Sequence, residues 1–237
     1  MPASDTSYHR YAVYFVPSGD ALARFGAHWL GWDINGGKVV AYLDVADLPA
    51  PIEDITATPR RYGLHATIVP PFHLAHGITL AHLKDVLERA CSMQAPVHLD
   101  ALALARLGRF LALVPVGSTN ALNTLAADML HQLDTLRAPP STTDLERHRT
   151  KGLTPAQDAL LQRWGYPYVM EAFKCHLTLT GKLPKAQART LEQQLGPLVA
   201  QVLPRPFVIG QLALVGQDAQ GWFHVVHQYD LTGLPPV

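Results

Sequence analysis

Two stretches decide the fold of this chain: Gly63-Leu64-His65-Ala66-Thr67-Ile68 and Phe173-Lys174-Cys175-His176-Leu177-Thr178-Leu179-Thr180. In the second, polar and apolar residues alternate strictly. Lys174, His176, Thr178 and Thr180 would stand on one side of a strand, and Phe173, Cys175, Leu177 and Leu179 on the other. The first repeats the pattern, with Gly63, His65 and Thr67 on one face and Leu64, Ala66 and Ile68 on the opposite one. Strands are therefore predicted over 62–70 and 173–180, each showing a His-x-Thr triplet to a polar sheet face. A third triplet, His148-Arg149-Thr150, lies in the charged run Asp144-Leu145-Glu146-Arg147-His148 and beyond, with no alternating apolar partner. It is predicted to be a surface feature.

Working outward, both strands lead into the same succession of elements. After the first, Thr79 caps a helix whose apolar positions Leu80, Leu83, Val86, Leu87 and Ala90 keep helical spacing. A hairpin over 97–107 and 110–116 turns at Gly108. It is followed by a helix carrying Leu122, Leu125, Met129, Leu133 and Leu136, which Pro139-Pro140 stops. After the second strand come a helix over 185–202 and hairpin strands over 207–215 and 222–229. His65 to Pro96 is 31 residues and His176 to Pro206 is 30, and Gly108-Arg109-Phe110 falls opposite Gly221-Trp222-Phe223. This predicts an internal duplication, with units of about residues 60–137 and 166–237. Before it stand a strand over 11–16 and a helix over 20–30 that Gly31 ends, expected to pack with the second unit. The proline-bearing stretch 49–59 is predicted to be loop, and 143–151 a solvated helix or loop. Thr154-Pro155-Ala156-Gln157 has the capping-box pattern of a helix start.

The predicted fold class is α+β: residues 1–237 as a single domain of two pseudo-symmetric lobes, with antiparallel sheets, helices on the outer faces and one central cleft. The 237 residues are 48% hydrophobic and 16% charged, enough to bury a sizeable core, with disorder expected only in the first few residues. Lysines plus arginines and aspartates plus glutamates each number 19, so no whole-molecule field attracts nucleic acid or an anionic membrane. No stretch reaches the roughly 18 apolar residues of a membrane span. A soluble cytoplasmic protein is expected, with no obligate protein partner. The two cysteines, Cys91 and Cys175, form no Cys-x-x-Cys pair and are expected to be reduced and buried.

With 12 histidines in the chain, a bare His-x-Thr triplet is close to chance. The signal lies in two triplets at equivalent points of a repeat, which pseudo-twofold symmetry would bring face to face across one cleft. Cleaving a phosphodiester needs one group to take a proton from the nucleophile and another to give one to the leaving oxygen, and histidine's pKa near 6.5 allows both forms near neutrality. His65 and His176 are the predicted pair. Thr67 and Thr178, two residues along each strand, would meet the charge on the non-bridging oxygens, with Lys174 or Thr180 adding to that. Tyr62 and Tyr168, just ahead of the motif strands, and Tyr11 on the first strand are candidates to stack on a base or sugar.

The paired His-x-Thr strands resemble the two-histidine (2H) phosphoesterase superfamily over most of the chain. Residues 61–75 (RYGLHATIVPPFHLA), 164–183 (WGYPYVMEAFKCHLTLTGKL) and the linking 136–168 are similar to its branch of phosphonate-metabolism proteins encoded beside carbon-phosphorus lyase genes. The resemblance implies His65 and His176 as the catalytic pair and Thr67 and Thr178 as phosphate-binding hydroxyls. Members of the branch tend to have a lysine where this chain has Val69, and an apolar residue such as phenylalanine where it has Cys175. That leaves Arg60, Arg61, Lys174 and Lys182 as candidates to neutralise the phosphate.

The expected activity is metal-independent cleavage of a small cyclic nucleotide or sugar cyclic phosphate, with no cofactor. RNA ends are an alternative substrate. A binding module that senses a nucleotide or sugar phosphate without turning it over is the alternative of a different class. His73-x-x-His76 and His224-x-x-His227 have a spacing that could suggest a metallohydrolase, but His224 and His227, three apart on a strand, face opposite sides, and the first pair lies in a loop beside Pro70-Pro71. No Gly-x-x-x-x-Gly-Lys-Ser/Thr loop for ATP phosphates occurs.

Overall fold

A computed structural model describes residues 8–150 and 152–234; the polar residues 1–7 and Lys151, the last of the charged run, lie outside the described residues. The chain opens with β1 (Arg10–Phe15), α1 (Ala21–Leu30) and a short ribbon, β2 (Trp32–Asp33) and β3 (Lys38–Val39). Then come α2 (Ile52–Thr56), a 3-10 turn at Pro59–Tyr62, β4 (Ala66–Phe72), α3 (Leu80–Ser92), β5 (Val97–Leu99), β6 (Ala101–Leu107) and β7 (Phe110–Val116). The rest is α4 (Asn120–Gln132), α5 (Thr142–Arg149), α6 (Pro155–Trp164), β8 (Leu177–Thr178), α7 (Lys185–Ala200), β9 (Phe207–Ile209), β10 (Gln211–Gln217) and β11 (Phe223–Asp230).

Local chemistry sets the helix ends. Asp20 accepts from the Ala23 amide at 2.7 Å and Gly31 closes α1 in the left-handed conformation. Thr79 accepts from His82 at 3.2 Å to start α3, and Thr154 and Gln157 complete a capping box on α6. The stretch predicted as loop over 49–59 contains α2 because Ile55 is fully buried in the core, which fixes a helical turn directly after Pro51.

One seven-stranded antiparallel sheet runs β11-β10-β1-β4-β8-β7-β6, and β5 pairs with β9 in a separate ribbon. The α+β class and its antiparallel sheets are as expected. The two motif strands lie side by side at the middle of this sheet, and β1 is inserted between β4 and β10. On one face, Tyr11, Val13 and Phe15 of β1 join Leu83, Leu87, Leu125, Met129, Leu191 and Leu195 in the main core. Each fully buried leucine there contributes about 1.5–3 kcal/mol. On the other face Ala12, Tyr14 and Val16 pack with Trp32, Ile34 and Phe223 in a smaller cluster.

Both motif strands are shorter than predicted. Residues 59–62 are wound into a 3-10 turn, and Gly63, at φ 66°, swings the chain from it into β4. A Cβ at Gly63 would lie 2.6 Å from that of Ile34, so both backbone conformation and space require glycine. Of 173–180 only Leu177–Thr178 is laddered. Beyond it the Leu179 and Thr180 amides share the Leu111 carbonyl, and the Thr180 hydroxyl takes the Leu111 amide at 3.0 Å, a side chain standing in for a ladder bond.

Candidate active site

The site grows out of the β4–β8 pair. Ala66 pairs with Leu177, so the same antiparallel register sets His65 opposite Thr178 and Thr67 opposite His176. Side chains directly opposite on one sheet face have Cβ atoms about 4.5–5.5 Å apart. Two histidines and two threonines therefore form a diagonal square.

Both imidazoles are held in the same way. His65 Nδ1 lies 3.0 Å from the Gly63 carbonyl and His176 Nδ1 lies 2.8 Å from the Lys174 carbonyl, two residues back in each case. A carbonyl only accepts, so both Nδ1 atoms carry a proton and donate, leaving Nε2 as the working nitrogen. The Thr67 hydroxyl lies 3.2 Å from His65 Nε2 and donates to it. Tyr14 stacks under the His65 ring at 3.9 Å between centroids, Tyr62 stands 6.0 Å away, and Phe110 is 5.9 Å from His176. Burial against these rings lowers the His65 pKa to about 4; the Gly63 carbonyl pulls it up, and the nearby His176 pushes it down further. His65 is thus neutral at pH 7.

His65, Thr67 and Thr178 line a cavity of about 930 Å³. His176 is on the same strand face as Thr178, half-buried across from Thr67. Tyr62 lines the cavity too. Other candidates are placed elsewhere. Tyr11 belongs to the main core on the opposite sheet face, and Tyr14 occupies the position beside His65. Tyr168 is 39% exposed and packs edge-on against Tyr166, which is the tyrosine that lines the cavity. Lys174 is exposed and serves through its backbone carbonyl. Thr180 is committed to the backbone at Leu111 and Gly181.

Val69 does not face the cleft. β1 pairs Tyr14 with Thr67 but Val13 with Val69, so Ile68 is an extra residue whose bulge turns Val69 into the core. None of Arg60, Arg61, Lys174 or Lys182 lines the cavity; Arg60 lies over the Tyr42 and Trp222 rings. The arginines that do line it are Arg10, Arg137, Arg147 and Arg163. His148, predicted to be a surface residue, is 7% exposed: α5 turns it inward, edge-on to Tyr166 at 5.1 Å, where it also lines the cavity. The run 143–151 reads as solvated because its charges mask the single face that α5 turns inward at His148. For Tyr14 a signal existed, the alternation of Arg10, Ala12, Tyr14 and Val16, but which side faced the cleft was not legible.

The His-x-x-His pairs are used differently. His224 Nε2 bonds Asp218 at 2.7 Å, and His73 Nδ1 donates to the His9 carbonyl at 2.8 Å. Among the described residues no three His, Cys, Asp or Glu side chains gather into a metal-ligand set, and no helix is long and apolar enough to cross a membrane. Cys91 is buried and Cys175 half-buried; both are free, and burial pushes each thiol up to about 12.

Comparison with known proteins gives three results. A protein named ribose 1,5-bisphosphate phosphokinase PhnN from Janthinobacterium sp. (strain Marseille) is 35% identical over 227 residues, 92% of this chain and 49% of that protein. One of the same name from Laribacter hongkongensis (strain HLHK9) is 38% identical over 175 residues, 73% of this chain and 40% of that protein, so the chain spans at most about half the length of these curated relatives. Among solved structures, Escherichia coli LigT complexed with 3'-AMP (12% identity, 95% of this chain and 99% of that one, TM-score 0.47) and TT0787 of Thermus thermophilus (14%, 95% and 100%, TM-score 0.45) are similar. A family described as "Protein of unknown function (DUF1045)" matches residues 67–224, from the first motif threonine to His224 of β11, and it is to this family that the chain belongs.

Proposed function

We propose that this protein is a metal-independent two-histidine phosphodiesterase that opens a small cyclic phosphate. The observation that carries the proposal is the matched pair of imidazoles, each with Nδ1–H held by the carbonyl two residues back; the Thr67 hydroxyl on His65 Nε2 turns to the phosphate when substrate takes its place. His65, neutral because its pKa is about 4, is the base. Its Nε2 takes a proton from water as the water oxygen bonds to phosphorus, and His176 Nε2–H protonates the ester oxygen as its bond to phosphorus breaks. One P–O bond forms, one breaks, and the product is a phosphomonoester. The Thr67 and Thr178 hydroxyls, on the other diagonal of the square, donate to the non-bridging oxygens, and the Tyr14 and Tyr62 rings wall the sugar side.

A sugar cyclic phosphate in phosphonate breakdown is the favoured substrate. The curated relatives are named for a kinase of a ribose phosphate, and a kinase needs a cradle for ATP phosphates. This chain matches about half of such a protein and contains no Gly-x-x-x-x-Gly-Lys-Ser/Thr loop, which supports reading it as an activity separate from the named kinase. The test is a panel of 2',3'- and 1,2-cyclic phosphates assayed in excess chelator. Turnover of at least one, lost in His65→Ala and His176→Ala, is expected. A wild-type protein inert on every member, or variants that keep full activity, would overturn the proposal.

A further inference from the structure

We propose that the end of the cavity away from the histidines is a second anion subsite, which takes a phosphomonoester on the same sugar that carries the reacting phosphate. The reacting end rests on the function proposed above; the subsite itself rests on separate residues.

The cavity, at about 930 Å³, is far larger than one cyclic phosphate requires and sits at the upper end of small-molecule sites. Its two ends differ in charge. Around His65 the wall is aromatic and hydroxylic. Beyond it stand four arginines, Arg10, Arg137, Arg147 and Arg163, against two carboxylates, Asp134 and Asp144. Three of the arginines come from the segment that links the two motif regions. Arg163 bonds Asp134 at 2.9 Å, with Arg137 on the same carboxylate at 3.4 Å, and Arg147 bonds Asp144 at 2.8 Å. The Asp144 carboxyl is held below its usual range by the Ser141 hydroxyl first and then by Arg147, Arg10 and His73, which places Arg10 of the sheet in the same group as Arg147 of α5. Two carboxylates cannot neutralise four guanidinium groups. The excess positive charge is turned into a concave wall, where a phosphate dianion would meet planar, bidentate donors.

Arg137 supplies an independent observation. Its side chain is 8% exposed, and its Nη2 atom is engaged by Asp134 and the Trp164 carbonyl, yet its Nε is buried without an acceptor. An unsatisfied buried donor costs about 1–3 kcal/mol, so this guanidinium is held beside the cavity with part of its donor capacity unused.

One strand of the sheet contributes to both ends of the cavity. Arg10 and Tyr14 point to the same sheet face four residues apart, about 13 Å between Cα positions at the rise of a strand. Tyr14 lies under His65, and Arg10, whose Nε donates to Gln217 of β10 at 2.8 Å, lines the same cavity. Both ends line one cavity, so the second phosphate is placed on the same small molecule, with the sugar that carries the reacting phosphate as the shortest link.

The probe is ribose 5-phosphate, titrated calorimetrically into the wild-type protein and into Arg10→Gln/Arg147→Gln and Arg147→Gln/Arg163→Gln. The second pair changes only side chains that are more than half exposed, and so keeps the test valid if the first does not fold. Binding by wild type, weakened at least tenfold in whichever pair folds, is expected. No binding by wild type, or equal binding by a folded pair, would overturn the subsite. Kinetics add a second readout: kcat/KM for ribose 1,2-cyclic phosphate with a 5-phosphate, divided by that without it, should fall at least tenfold in the same variants, and an unchanged ratio counts against the subsite. If no cyclic phosphate is turned over, the proposed activity fails while the titration still decides the subsite.

Discussion

The two ends of the cavity are built by different means. At the reacting end, register does the work: Ala66 against Leu177 places two histidines and two threonines, and the carbonyls of Gly63 and Lys174 fix both rings. At the far end, Arg137, Arg147 and Arg163 share two carboxylates beside Arg10 of β1, and α5 is tied to α6 by Arg149 on Asp158 at 2.7 Å. Strands deliver the precision that proton transfer needs, and long side chains deliver the charge that a phosphate needs. Substitutions should therefore fall into two groups: at the reacting end they lower kcat, and at the far end they raise KM for substrates with a second phosphate.

The largest effect expected is on kcat. His65→Ala and His176→Ala should each lower it by about 10²–10⁴-fold with little change in KM, measured at substrate saturation. A comparable loss of kcat in Arg147→Gln would erase the distinction between the ends. Next is a pH effect on stability. His65 stays neutral in the folded protein down to about pH 4, whereas the unfolded chain takes up that proton near pH 6.5. The unfolded state therefore binds more protons between these values, and stability falls as pH falls from about 6.5 to 4, by at most about 3 kcal/mol from this residue. Denaturant unfolding of wild type and His65→Gln across that range should show the slope in the first and its loss in the second. Smaller again, Thr67→Val should cost about 1.5–3 kcal/mol of transition-state stabilisation, read from kcat/KM. Smallest of all, Tyr168→Ala should change kcat/KM by less than about twofold, because its ring packs outside the cavity.

Sequence pattern alone exposed the motif strands because a two-residue period needs no knowledge of the rest of the fold. His65, Thr67, His176 and Thr178 were legible for that reason, as were the caps at Asp20, Thr79 and Thr154. What was hidden depended on which face of an element met which neighbour. Tyr11 and Tyr14 alternate on β1, and only its insertion between β4 and β10 decides that Tyr14 stacks on His65. Alternation alone put Val69 on the polar face, where an absent lysine would matter; the bulge at Ile68 turns it to the core, and cations arrive from Arg10 and the 137–163 segment instead. A bulge changes facing without changing composition, so nothing in the residues announced it. His148 sat among charges that read as solvent-facing, yet one turn of an amphipathic helix was enough to bury it.

Whether His65 is the neutral base and His176 the acid of a single proton-transfer pair is read out by the pH dependence of kcat/KM on a turned-over cyclic phosphate in excess chelator. A bell is expected whose acidic limb lies near pH 4 in wild type and vanishes in His65→Ala. An acidic limb unaffected by that substitution, or activity that disappears on adding chelator, would contradict the assignment.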